Sequence, residues 1–301
     1  MQSASRRSIF SIVAAAAVLM VSGPPAAAQG HSGFGHAHQG GVTAGSGTSS
    51  TPLPASGSGI RNFGVWLDDA SVAEPGGGWM SVSFGYYKTD LFNEVDVPVA
   101  DAGVGIARRV QFGFSVPVYN LSEPGVPATH GLGDVYLHSK IQLRDAANAP
   151  HGFGYAILPI IEVLSSVPAD GQRRVNWALP VSMELQRTGW RAYGSAGYFS
   201  RGSLFASGAL EKTLTDRLWI TGTLSHAYST KADVVQVPGL NRVRTDVSGG
   251  ASYALRPSWI LFGSIGRTIS THDENSARLS LSAGISLNLA APPEMRHGKK
   301  P

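Results

Sequence analysis

The sequence of 301 residues contains no cysteine, so disulfides cannot stabilise it in an oxidising compartment. After the first 28 residues, no stretch approaches the roughly 18 to 20 apolar residues that a membrane-spanning helix requires. Charged residues make up only 15% of the chain, and its lysines and arginines are dispersed instead of forming the basic stripe that nucleic-acid binding needs. These absences argue against a disulfide scaffold, a helical membrane protein and a nucleic-acid-binding protein. A closed sheet remains as a means of stabilisation.

The N-terminal residues 1–28 are expected to be an export signal that is cleaved before Gln29. Arg6 and Arg7 give a basic start, an apolar stretch follows, and the segment ends in the small-residue exit PPAAAQG. Cleavage would remove both arginines and lower the formal net charge from +4 to +2. The mature chain is therefore expected outside the cytoplasm.

Residues 29–59 consist almost entirely of Gly, Ser, Thr, Ala and His, and they are expected to form a disordered leader because they have little apolar surface to bury. His31, His36 and His38 are weak candidates for binding a transition metal, since neutral imidazoles on a tether can converge on one ion. No carboxylate or thiolate completes such a site, so a plain linker is the favoured interpretation. Residues 60–78 contain a short apolar patch that is either a turn of helix or a small plug, and residues 291–301 form a polar C-terminal tail.

From residue 79 to about 290 the chain consists of segments of about ten residues in which apolar and polar side chains alternate. This period of two is typical of strands and not of helices. In VQFGFSVPVY, for example, Val110, Phe112 and Phe114 alternate with Gln111 and Gly113. The pattern predicts twelve strands, near residues 79–88, 97–107, 110–119, 130–143, 153–163, 175–186, 190–199, 204–213, 218–228, 243–254, 259–268 and 278–289.

The connections between these segments fall into two classes. Four of the five connections at every second position are tight, as at 108–109, 187–189 and 256–258, whereas three of the six others, 120–133, 164–174 and 229–241, exceed ten residues. An outer-membrane barrel has short turns on its periplasmic side and longer loops outside. The strand lengths and this asymmetry therefore predict a transmembrane antiparallel up-and-down β-barrel of about twelve strands, and not a soluble sandwich.

Two further features bear on the predicted strands. Aromatic residues near strand ends are expected at the depth of the lipid headgroups, and they are Trp79, Tyr119, Trp190, Tyr198, Tyr253 and Trp259. Pro117, Pro159 and Pro180 fall inside predicted strands, where the missing N–H requires either a bulge or a shifted boundary.

The stretch HGLGDVYLHSKIQL, residues 130–143, also resembles a motif of the outer-membrane family known as the MetA pathway of phenol degradation, whose members are often called transporters. Gly131, Leu132, Gly133, Asp134 and Lys140 match that motif, in which Gly-Leu-Gly-Asp opens an alternating strand. The resemblance covers about residues 75–290. It implies an outer-membrane barrel that passes small hydrophobic or aromatic molecules, and it supplies no catalytic residue.

Several charged side chains are predicted on the inner face of the barrel. Asp134, His138 and Lys140 share one strand face, because they stand at i, i+4 and i+6. Six residues of other strands are expected to join them: Glu162, Glu184, Arg191, Arg244, Asp246 and Arg278. These groups form either a charged constriction that selects permeants or cross-strand ion pairs that fill the interior, and the sequence leaves both alternatives open.

The rival function is an outer-membrane lipid-modifying hydrolase, for which His130, His226 and His272 are available. The sequence contains neither a G-x-S-x-G elbow nor an H-E-x-x-H motif, so catalysis is not predicted. A structural or adhesive barrel without transport is the third alternative. No cofactor is predicted, and the expected partners are outer-membrane lipid or lipopolysaccharide, the barrel assembly machinery and a small permeant that the sequence does not identify.

Overall fold

The computed structural model describes residues 65–90, 92–125, 127–149, 151–163, 175–200, 202–230, 242–270 and 276–289, together with two short strands nearer the N-terminus. Those two strands, Gly35–Ala37 and Leu53–Ser56, pair with each other in antiparallel fashion. The rest of the predicted leader, the expected export signal and the C-terminal tail lie outside the described residues.

Twelve strands form the main sheet, as the alternation predicts. Three of them are each interrupted by two residues. The strands are β1 (Gly78–Lys88), β2 (Asn93–Ala107), β3 (Val110–Ser122), β4 (Thr129–Leu132 and Val135–Arg144), β5 (Phe153–Ile157 and Ile160–Val163), β6 (Val175–Ala178 and Val181–Arg187), β7 (Trp190–Phe199), β8 (Ser203–Thr215), β9 (Leu218–Ser229), β10 (Val243–Arg256), β11 (Trp259–Ser270) and β12 (Leu279–Leu289).

The sheet closes into an antiparallel barrel. Each strand pairs with the next along the chain, and β12 pairs with β1 over eleven residue pairs, from Leu279 with Lys88 to Leu289 with Gly78. Closure leaves no sheet edge, which matters because hydrocarbon cannot satisfy an unpaired N–H or C=O group. In the described parts of the chain, no helix is long and apolar enough to cross a membrane.

The outer surface of the barrel is apolar. Leu210 and Ile265 are each 58% exposed, and similar side chains cover the other strands: Leu137, Ile161, Met183, Ile220, Leu224 and Leu261. On the same strands the alternate residues face inward and are mostly polar, as Asp134, Lys140 and Glu184 show. This arrangement inverts that of a soluble sandwich and is typical of a lipid-facing barrel.

The two ends of the barrel differ. Its turn end carries the connections 108–109, 145–152, 188–189, 216–217 and 257–258, and its loop end carries those between the other strand pairs. One predicted long loop is wrong. The 120–133 connection shrinks to 123–128, because Val118 to Leu121 pair with Thr129 to Leu132.

Two of the three prolines interrupt their strands, and all three accept hydrogen bonds from neighbouring segments. Pro159 and Pro180 stand in the interruptions of β5 and β6, and their carbonyls accept hydrogen bonds from Ser139 N at 3.0 Å and Leu158 N at 2.9 Å. Pro117 remains within β3, and its carbonyl accepts from Gly133 N at 2.8 Å. A side chain at Gly133 would place Cβ only 2.7 Å from the Pro117 ring, so the second glycine of the GLGD motif permits this close approach.

Candidate pore interior

Most of the predicted lumen residues face the interior. Asp134, His138 and Lys140 of β4 are at most 2% exposed, and all three point inward. The interior also receives Glu162 of β5, Glu184 of β6, Arg191 of β7, and Arg244 and Asp246 of β10.

Arg278 is the exception and corrects the prediction. Strand β12 begins one residue later, at Leu279, so Arg278 lies at the loop end, where its backbone N–H bonds to Lys88 O. Its exposed guanidinium pairs with Asp90 at 2.6 Å and lowers the pKa of that carboxyl by hydrogen bonding. Arg278 is therefore a rim residue and does not line the lumen.

Residues 65–77, here called the inner segment, run as an extended chain inside the barrel. The sequence left two alternatives for this part, a turn of helix or a plug, and residues 65–77 contain no helical turn. Trp66 and Ala70 are completely buried, and Asp68 and Asp69 are 1% exposed. The segment leaves the lumen at the turn end, where Gly76 N donates to Gly105 O of β2 at 2.8 Å.

Side chains of the wall satisfy the backbone of the inner segment. Ala73 N donates to Gln111 Oε1 of β3 at 2.8 Å, and Gln142 Nε2 of β4 donates to Ala70 O at 3.1 Å. Farther in, Asp68 N donates to Ser195 Oγ of β7 at 2.8 Å, and Ser207 Oγ of β8 donates to Trp66 O at 2.6 Å. A buried backbone without a sheet partner needs such bonds, and the inward polar residues of β3, β4, β7 and β8 supply them.

Buried ion pairs hold the inner segment to β4 and β7. Lys140 Nζ lies 2.7 Å from Asp68 Oδ1 and 3.1 Å from Asp69 Oδ1. Arg191 Nη1 lies 3.1 Å from Asp69 Oδ2, and its Nε lies 2.8 Å from Glu211 Oε1 of β8. Removing one member of a buried pair costs roughly 3–5 kcal/mol, because the other charge stays buried without compensation. Lys140 and Arg191 therefore attach the segment to the wall.

Glu184 extends this network on β6. Its Oε1 lies 3.6 Å from Arg191 Nη1, and Ser71 of the inner segment donates to its Oε2 at 2.8 Å. Two cations of the wall thus meet carboxylates from both the wall and the segment. The network contains cross-strand pairs, Arg191 with Glu211 and with Glu184, which is one of the two alternatives from the sequence. It also contains pairs that link the wall to an inner chain, which the sequence did not indicate.

Aromatic packing fixes the deeper end of the inner segment. The Trp66 ring lies 5.4 Å from the His138 ring in an edge-on arrangement and 5.8 Å from the Tyr136 ring. Tyr136 in turn donates to Glu162 Oε1 at 2.8 Å. His138 stands opposite Gly113 of β3, where any Cβ would come within 2.4 Å of the imidazole. His138 therefore packs against Trp66 directly, and Glu162 bonds to Tyr136, which packs against the same ring.

A second charged group lies near the loop end of the interior. Arg244 Nε of β10 is 2.9 Å from Asp246 Oδ2, and Thr268 of β11 donates to Asp246 Oδ1 at 2.6 Å. The Arg244 guanidinium also bonds to the Tyr87 hydroxyl and lies over that ring, 5.4 Å from its centre. These contacts join β10, β11 and β1 and do not involve the inner segment.

The remaining wall, formed by β9 to β12 and β1, is lined mainly by hydroxyls and small residues. Thr223 Oγ1 and Ser248 Oγ are 2.5 Å apart, and Ser264 Oγ and Ser282 Oγ are 2.7 Å apart. The other inward hydroxyl residues of this wall include Ser81, Thr221, Ser252, Ser280 and Ser286. We call it the hydroxyl wall.

A cavity of about 400 Å³ opens at the turn end. It is lined by Gln186, Arg187, Thr188, Gly189, Trp190, Arg191, Glu211, Thr213, Asp216 and Trp219. Its inner boundary contains the Arg191–Glu211 pair, which also contacts the inner segment through Asp69. The cavity is therefore a vestibule that ends where the inner segment is attached.

Two of the three histidines considered for a hydrolase are described, and they lie on different strands. His130 is exposed at the loop end of β4, whereas His226 faces outward from β9 and lies 2.9 Å from Thr245 Oγ1. Strands β4 and β9 are not neighbours, and His272 lies outside the described residues. The side chains of His31, His36 and His38 are likewise not described, and the described residues contain no group of three or more potential metal ligands.

Sequence reasoning missed the partners of the predicted lumen charges, namely Trp66, Asp68, Asp69 and Glu211. Two adjacent aspartates inside the apolar stretch VWLDDASVA, just before the first strand, were the available signal. An acidic pair in a segment apolar enough to be buried requires cations, and Lys140 and Arg191 were already predicted in the interior.

Comparisons with known proteins agree with this architecture. No protein-family model matches the sequence, and no curated protein sequence matches it. Among solved structures, the COG4313 outer membrane channel from Pseudomonas putida F1 is similar with a TM-score of 0.57 and 14% identity, over 73% of this chain and 98% of that one. The NanC porin is similar with a TM-score of 0.51 and 10% identity, over 70% of this chain and 100% of that one. The chain therefore has the fold of outer-membrane channel barrels, while the phenol-degradation resemblance is not confirmed.

Proposed function

We propose that the chain forms a pore for small molecules in the outer membrane of a Gram-negative bacterium. The observation that carries this proposal is the closed twelve-stranded barrel, apolar outside and polar inside, with a vestibule at its turn end. A structural barrel has no need of a vestibule that leads to a charged interior. The similarity to channel barrels supports the same function by analogy of fold.

The pore is proposed to be controlled by the inner segment. Residues 65–77 occupy the lumen beside β3, β4, β6, β7 and β8, and ion pairs to Lys140 and Arg191 hold them there. Permeants must pass between this segment and the hydroxyl wall, or the segment must move. The charged groups then influence permeation by holding the segment in place, in addition to any direct selectivity at Asp134, Arg244 and Asp246.

The permeant class also remains a proposal. The GLGD resemblance makes small hydrophobic or aromatic molecules the first candidates to test. Export through the signal at residues 1–28 and insertion by the barrel assembly machinery are part of the same proposal.

Conductance measurement tests the pore. Purified full-length protein in planar bilayers should give discrete current steps, and Arg191→Gln should give larger or more frequent steps because Asp69 loses a partner. Arg278→Gln is the control, since it removes an ion pair of the rim and should leave the steps unchanged. Absence of steps in the parent protein and in Arg191→Gln, under varied salt and voltage, would contradict a pore.

A further inference from the structure

The turn end of the barrel carries an arginine at each of its five connections. These arginines, here called the turn-end arginines, are Arg108, Arg109, Arg144, Arg187, Arg217 and Arg256. All six are exposed, and none forms a salt bridge with a residue that the structure describes. No lysine stands at these connections, although lysine would supply the same charge.

Two of the turn-end arginines are braced by the backbone. Arg187 Nη1 donates to Gln186 O at 2.9 Å and also to His151 O across the neighbouring turn. Arg109 Nη1 lies 3.5 Å from Leu143 O. A guanidinium has five N–H donors, so these bonds orient the group and leave donors for a further ligand.

A girdle of outward-facing aromatic residues lies directly next to these arginines. Each is at least 36% exposed and stands within a few residues of a turn, and the set comprises Phe112, Phe153, Tyr155, Trp190, Tyr253 and Trp259. Such rings concentrate at the level of the lipid headgroups. At a rise of about 3.3 Å per residue, the guanidinium groups therefore stand at the level of the lipid phosphates or just beyond it.

The local charge balance favours an anionic ligand. Three carboxylates lie at the same end, those of Glu74, Asp145 and Asp216, against six arginines. Asp145 is engaged within its own turn, where it accepts from Ala147 N at 3.0 Å and from Asn148 Nδ2 at 2.5 Å. An excess of positive charge therefore surrounds the turn end.

We propose that the turn-end arginines bind the phosphodiester groups of anionic phospholipids in the leaflet around the turn end. Guanidinium is planar and binds a phosphate through two parallel N–H donors, which explains arginine in place of lysine at these positions. The aromatic girdle holds the barrel at the depth where such contacts form. The inference rests on the proposed membrane pore and adds a lipid partner with a location on the barrel.

Two matched triple variants test the proposal. Arg144→Gln/Arg217→Gln/Arg256→Gln removes three turn-end arginines, and Lys88→Gln/Arg242→Gln/Arg278→Gln removes three exposed cations of the loop end. Each full-length protein is placed in nanodiscs of phosphatidylcholine, with and without a quarter of phosphatidylglycerol. The unfolding midpoint is then followed by heat-modifiable gel migration.

Phosphatidylglycerol should raise the midpoint of the parent protein, and high salt should diminish that shift. We expect the turn-end triple variant to lose at least half of the shift and the loop-end triple variant to keep it. An equal shift in the two variants, or a loss confined to the loop-end variant, would overturn the proposal. The proposal would also be overturned if purified lipopolysaccharide, and not phosphatidylglycerol, raised the unfolding midpoint of the parent protein. The turn-end variant should retain its conductance steps, so failure of the lipid proposal remains distinguishable from failure of the pore.

Discussion

The wall formed by β3 to β8 and the hydroxyl wall face the same lumen with different chemistry. The first wall presents Lys140, Glu184, Arg191 and Glu211, and its charges are buried against the inner segment. The hydroxyl wall presents serines and threonines, including the bonded pairs Thr223–Ser248 and Ser264–Ser282, with one charged pair, Arg244 and Asp246, towards the loop end. The ion pairs of the inner segment all lie on the first wall, and we propose that this asymmetry directs permeation towards the hydroxyl wall.

The largest effect is expected from breaking the attachment of the inner segment. Lys140→Gln leaves Asp68 without its nearest cation and should weaken docking by roughly 3–5 kcal/mol. Because the chain has no cysteine, Ser71→Cys provides a single reporter thiol inside the lumen. We expect this thiol to react with a maleimide at least about tenfold faster in the Lys140→Gln background, since 1.4 kcal/mol corresponds to a factor of ten.

The control for this experiment is Arg278→Gln, which removes an exposed ion pair outside the lumen. In the Arg278→Gln background, the thiol at position 71 should react as slowly as in the protein that carries Ser71→Cys alone. Equal reactivity in the Lys140→Gln and Arg278→Gln backgrounds would show that the buried ion pair does not hold the segment.

A smaller effect is expected at the contact between β3 and β4. Gly113→Ala would place a methyl group within 2.4 Å of the His138 ring, which must move away and disturb Trp66, and 2.7 Å from the Ala102 carbonyl oxygen of β2. Such overpacking costs typically about 1–3 kcal/mol. Gly249→Ala on β10 is the matched control, because no atom lies within 4 Å of the new methyl group there.

Thermal unfolding by heat-modifiable gel migration compares these two variants. Gly113→Ala should lower the unfolding midpoint by several degrees, and Gly249→Ala should change it little. A similar decrease in both would mean that loss of glycine, and not the contact with His138, determines the result.

The smallest effect is expected on the hydroxyl wall. Ser264→Ala/Ser282→Ala removes both partners of one hydrogen bond, so no buried polar group is left unpaired and the cost should stay below about 1 kcal/mol. The unfolding midpoint and the labelling rate of Cys at position 71 should both match the parent. A large change in either would show that this wall also supports the inner segment.

The sequence predicted the barrel well because alternation and connection length are local signals. All twelve strands were found, and the inward direction of Lys140, Glu184 and Arg191 followed from the phase of the alternation. In the same alternation Trp79 faces inward, as Ser81 does. The prediction that Trp79 lies at the depth of the lipid headgroups is therefore wrong. Trp190, Tyr253 and Trp259 do face outward at strand ends, as predicted.

The position of the inner segment could not be predicted, since its contacts depend on pairs far apart in the chain. Asp68 meets Lys140 across 72 positions, and Trp66 meets Ser207 across 141. The loop 120–133 was overestimated for a similar reason: Thr129 and His130 carry no strand pattern of their own and extend β4 only because β3 continues opposite them. Arg278 was misplaced because strand ends are set by pairing, and its neighbour Leu279 is the first residue of the ladder.

Single-channel conductance of Lys140→Gln, measured beside the parent and the Ser264→Ala/Ser282→Ala variant, tests the central claim most directly. If the ion pairs to Asp68 and Asp69 keep the inner segment in the lumen, the Lys140→Gln channel should show a larger open conductance or a higher open probability. The hydroxyl-wall variant should conduct like the parent. Identical conductance and open probability in all three proteins, each confirmed as folded by heat-modifiable migration, would contradict control of the pore by residues 65–77.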